Sequence, residues 1–106
     1  MSYAISFGDE KEQIWTIANN YGEWLISEIT KDETDISLVE FINKTIFNNG
    51  VSFDQDYEED NINRDNYLNL LKEKIPVIIQ QNSTSKFQAE IKILLKDLLE
   101  MIERFT

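Results

Sequence analysis

The sequence predicts an all-α fold, a four-helix bundle-like single domain spanning residues 1–106, and three observations carry that expectation. The chain is 42% hydrophobic and 28% charged, enough apolar material for one packed core and too much for a disordered segment. Four stretches repeat apolar residues at steps of three and four, the period of a helix with one buried face. Short connections join these stretches, apart from one acidic loop, which suggests an antiparallel bundle or a related packing.

The elements follow in chain order. Tyr3, Ile5 and Phe7 alternate as a strand does, but nothing evident pairs with them, so the segment reads as a tail docked on the helices. From about Asp9 to Thr30, Ile14, Ala18, Tyr21, Leu25 and Ile29 share one helical face. Trp15 and Ile26 widen one edge of that stripe, Ile17 and Trp24 the other, which predicts a central helix with neighbours on several sides. Asp35 is placed to cap a second helix over Ile36 to Phe47, with Leu38, Phe41, Ile42 and Ile46 inward and Asn48-Asn49-Gly50 as its stop.

Val51 to Asp60 shows neither a stripe nor alternation and reads as a loop. A third helix starts near Arg64 or Asp65 and turns Tyr67, Leu68, Leu71, Ile75 and Ile78 inward, with a kink or break near Pro76, where a backbone donor is lost. Beyond the polar connection at 81–85, Phe87, Ile91, Leu94, Leu95, Leu98, Ile102 and Phe105 line the fourth and clearest helix, leaving Ile93 exposed on its opposite side.

Composition narrows the function by exclusion. With no Cys and no His, the chain offers no thiol nucleophile, disulfide, ordinary zinc site or imidazole base. The amino-terminal sequence lacks the basic start and apolar run of a signal peptide, and no apolar stretch reaches the length of a membrane span, so the cytoplasm is the expected location. A formal net charge of -10 opposes direct binding to nucleic acid or an anionic membrane. That charge is uneven: residues 1–65 hold 15 Asp and Glu against 4 Lys and Arg, and residues 66–106 hold 5 against 6.

Within the acidic part, Asp54, Asp56, Glu58, Glu59 and Asp60 crowd together beside Phe53 and Tyr57. Like charges so concentrated are stabilised by a cationic surface, and the two aromatics suit desolvated anchors, so this segment is the leading partner-binding candidate. Asp32 and Glu33 extend the acidic surface if the two segments share one end of the fold. Trp24, at the edge of its stripe, is the aromatic residue best placed to reach a partner. A merely solvated acidic loop is the plain alternative. The same residues also scan as a calcium loop, but position 6 is Glu59 instead of Gly and position 12 is Asp65 instead of Glu, so no metal and no cofactor are expected. No carboxylate pair or Gly-rich loop marks catalysis, and the expectation is a binding protein, not an enzyme.

In size, acidity, helical character and the carboxylate-rich segment from Asp54 to Asp60, the chain resembles bacterial immunity proteins of the contact-dependent inhibition and colicin type. The resemblance implies a protein that neutralises a cognate basic toxin domain, such as a nuclease, by occupying its cationic surface. The competing expectation is a helical adaptor or phage accessory protein that binds a host protein, with an apolar face available for homo-oligomers.

Overall fold

A computed structural model describes residues 2–54, 61–81 and 86–106, and the backbone alone at 86–88. Its architecture corrects the all-α expectation. Four helices pack on a three-stranded mixed sheet: β1 (Ser2–Ser6), β2 (Ile14–Ala18), α1 (Asn19–Thr30), α2 (Ile36–Phe47), β3 (Gly50–Ser52), α3 (Asn61–Gln81) and α4 (Lys86–Phe105), with a 3-10 turn at Lys11–Gln13 before β2. The strand order is β2-β1-β3.

The first predicted helix is where the expectation fails. Its amino-terminal half is β2, antiparallel to β1 with Ile5 opposite Trp15 and Tyr3 opposite Ile17. Ile14-Trp15-Thr16-Ile17 is a β-branched and aromatic run that fits a half-buried pleat. Once β1 supplies a partner, alternation outweighs the helical stripe: Trp15 and Ile17 are buried, while Ile14 and Ala18 are exposed. The presumed docked tail is therefore the central strand. Gly50 brings β3 alongside β1 in parallel, opposite Ala4. A Cβ at Gly50 would lie 2.2 Å from the Ala4 carbonyl oxygen, and its φ of +152° favours glycine.

α2 runs over the span that its periodicity indicates, with the Asp35 side chain accepting from the Leu38 amide at 3.2 Å. Asn49, at φ 59°, turns the chain out of the helix. α3 begins at Asn61, before the expected start, and continues through Pro76 to Gln81, so of the expected kink or break the break does not occur. Pro76 and Lys72, whose carbonyl loses its bond at that point, are both exposed, so water can satisfy the carbonyl on the solvent side.

One face of the sheet and the inner faces of the helices enclose the core, which includes Ile5, Leu25, Ile29, Ile42, Leu71, Ile75 and Leu98. Two polar links cross it. The Trp15 Nε1 donates to the Leu94 carbonyl at 2.8 Å and ties β2 to α4. The Tyr3 hydroxyl lies 2.7 Å from Thr45 Oγ1 and 2.9 Å from the Tyr67 hydroxyl, joining β1, α2 and α3. No helix among the described residues is long and apolar enough to cross a membrane.

Candidate functional site

The amino-terminal turns of α2 and α3 meet. Asn63 Nδ2 donates to Ser37 Oγ at 3.3 Å, and a cleft of about 550 Å³ opens there between Asp35, Ser37, Asn61, Ile62 and Asn63. Two large apolar side chains stand at this end in solvent: Ile36 is 74% exposed and Ile62 78% exposed. Scattered surface apolar residues are ordinary. Here, each lies on the first turn of its helix, within one residue of the bonded Ser37–Asn63 pair.

Asp35 lines the cleft, and Asp32 and Glu33 precede Asp35 in the chain. Glu33 folds back so that its Oε1 accepts from the amides of Thr34 at 3.1 Å and Asp35 at 3.2 Å. Asp35 caps α2 through one carboxylate oxygen and also lines the cleft. Asp32 is exposed. Among the described residues, none of these three has a lysine or arginine in ion-pairing range. The adjacent cation, Lys31, bonds Glu28 at 3.3 Å instead. On the α3 side Arg64 is buried, its Nη1 donating to Asn61 Oδ1 at 3.0 Å and holding the first turn of that helix. The arrangement is two exposed aliphatic residues and two amide side chains, with the acidic segment Asp32–Asp35 on the α2 side. Its polar groups at the cleft are the Asp35 carboxylate, the Ser37 hydroxyl and the Asn61 and Asn63 amides.

The sequence-selected residues divide into three sets. Asp32 and Glu33 lie in the segment that precedes α2 and are not among the residues lining the cleft. Asp56, Tyr57, Glu58, Glu59 and Asp60 lie outside the described residues, as do the polar connection at 82–85 and the Phe87 side chain. Asp54 is half-buried, its amide donating to Ser52 Oγ at 3.3 Å. The structure removes Phe53 from the surface: it is 9% exposed, with its ring 5.8 Å from Phe7 and 5.7 Å from Tyr67. Its neighbours in sequence disguise a core residue. Trp24 is half-buried and packs against the core without lining the cleft.

Sequence reasoning missed Ile36, Ile62 and the amide pair. A signal was present: each isoleucine follows a capping-type residue and falls off the apolar stripe of its own helix. No group of three or more Asp or Glu among the described residues is arranged to hold a metal ion. Of the calcium-like window, Asp54 and Asp65 are described and the acidic positions between them are not. The fold and site together define a small mixed α/β protein with an acidic, aliphatic-centred patch. No protein-family model, curated protein or solved structure matches the chain.

Proposed function

We propose that the protein binds a basic protein through the joined ends of α2 and α3, and that it acts as an inhibitor of the immunity type, covering the cationic surface of a toxin domain such as a nuclease. The observation that carries this reading is the Asn63–Ser37 bond, which joins the two helix starts that bear exposed Ile36 and Ile62 at a cleft lined by Asp35. Apolar anchors within a charged rim are the usual anatomy of a protein interface. In sequence, the acidic stretch 54–60 immediately precedes Asn61. Opposite charge accelerates capture, and the acidic segment Asp32–Asp35 supplies that charge. The adaptor reading draws its support from Phe47, which is 85% exposed at the other end of α2.

The test is capture from source cells with the chain as bait, in parallel with an Ile36→Ser/Ile62→Ser variant and one in which Asp54, Asp56, Glu58 and Glu59 are replaced by amides. A basic protein held by the wild type and depleted from both variants is the expected result. Equal recovery with all three baits would remove the patch from the function.

A further inference from the structure

The outer edge of β2 is an unused hydrogen-bonding surface. In the sheet, β1 turns its even-numbered backbone groups toward β3, with the Ala4 amide donating to Asn49 O at 3.0 Å and the Phe53 amide to Ser6 O at 2.8 Å. Its odd-numbered groups face β2, as the bond from the Phe7 amide to Gln13 O at 2.8 Å shows. Alternation along an antiparallel pair then commits Trp15 and Ile17 to β1 and turns the Ile14 carbonyl, both backbone groups of Thr16 and the Ala18 amide away from it. No further strand lies beyond β2 among the described residues.

Edge strands are usually guarded by a charge, a proline or a bulge. Ile14-Trp15-Thr16-Ile17-Ala18 has no charged residue and no proline, and it pairs with β1 in unbroken register. Beside this edge lies a cleft of about 390 Å³ between β2 and α4. Leu94 and Met101 offer it aliphatic surface, and Asp97 and Glu100 stand on its rim. Neither carboxylate has a lysine or arginine in ion-pairing range among the described residues. Arg104, also on the rim, lies against the Phe105 ring at 5.9 Å.

We propose that β2 accepts an extended, lysine- or arginine-bearing segment of a partner protein as a fourth strand. Backbone bonds to Thr16 give affinity, and a long cationic side chain lying over Leu94 and Met101 reaches Asp97 and Glu100. A second copy of this chain suits the edge less well. Two β2 strands paired about a twofold axis bring the Asp97 and Glu100 of both copies to one seam, between molecules that each carry -10. The edge shares no residue with the patch on α2 and α3, so either can fail alone.

The experiment uses the full chain and a short blocked peptide that alternates valine with lysine, followed by amide hydrogen exchange. In the free protein, the Thr16 amide exchanges much faster than those of Trp15 and Ile17. Saturating peptide protects Thr16 and Ala18. Peptide N-methylated on its pairing edge does not bind, and Asp97→Lys/Glu100→Lys weakens binding by about tenfold while the circular dichroism spectrum is retained. Absence of saturable binding, equal binding of the N-methylated peptide, or protection elsewhere would overturn the proposal. So would protection of Thr16 that rises with protein concentration alone, which assigns the edge to a second copy.

Discussion

Thr45 Oγ1 lies within bonding distance of two oxygens and has one proton, which it gives to the Ile42 carbonyl at 2.6 Å. It therefore accepts from Tyr3, and Tyr3 accepts from Tyr67, so the buried chain runs in one direction: Tyr67 to Tyr3 to Thr45 to Ile42. The end and the middle of such a chain are not equivalent. Tyr67→Phe removes the terminal donor and costs about 1 kcal/mol, whereas Tyr3→Phe strands the Tyr67 proton in the core and costs about 2 kcal/mol. Urea unfolding of the two variants tests the order. Burial pushes the Tyr67 phenol well above its ordinary value of 10.0, with the neighbouring Tyr3 adding to the rise, and burial raises Tyr3 against the lowering effect of its bonds to Thr45 and Tyr67. Native protein thus keeps these protons at a pH where the unfolded chain releases them. The stability they contribute is complete below the ordinary phenol range and declines as pH rises above it. Urea midpoints measured across that alkaline range should fall more steeply for the wild type than for Tyr3→Phe/Tyr67→Phe.

Among the elements, α1 and the sheet fit most tightly at Gly22, where a Cβ would lie 2.8 Å from that of Tyr3. Alanine favours an isolated helix by about 1 kcal/mol over glycine, but overpacking against a strand already fixed by hydrogen bonds costs about 1–3 kcal/mol. Gly22→Ala should accordingly lower the thermal midpoint; a rise would show that α1 is free to withdraw from β1. The same packing explains which elements were legible in the sequence. α2 announces itself locally, through Asp35, its stripe and Asn48-Asn49-Gly50, and α4 through a periodic apolar face. Local signals conflict over Ile14–Ala18: the β-branched and aromatic run favours a strand, while Ile14, Ala18, Tyr21 and Leu25 keep helical spacing. The decision comes from β1 across the 3-10 turn and from Leu94, which receives the Trp15 indole from a distant part of the chain. Phe53 was obscured in the same way: acidic residues follow it in sequence, while Phe7 and Tyr67 bury it in space.

For the molecule as a whole, the excess of carboxylates in residues 1–65 is a property of sequence, whereas its value depends on where the fold places them. Asp32, Glu33 and Asp35 were legible as an acidic group before α2, but their association with Ile36 and Ile62 requires the α2–α3 contact, which no local pattern encodes. Long-range attraction from the acidic segment should govern the rate of capture, and the two isoleucines should govern how long the complex lasts. Asp35→Asn separates charge from scaffold, since asparagine caps a helix as well as aspartate does. The most direct test is calorimetric titration of the captured basic partner into wild type, Ile36→Ser/Ile62→Ser and Asp32→Asn/Asp35→Asn at low and high salt. The account predicts wild-type affinity that falls as salt rises, a shallower salt dependence in the asparagine variant, and loss of binding in the serine variant with its helical spectrum preserved. Wild-type affinity retained by both variants at every salt concentration would contradict it.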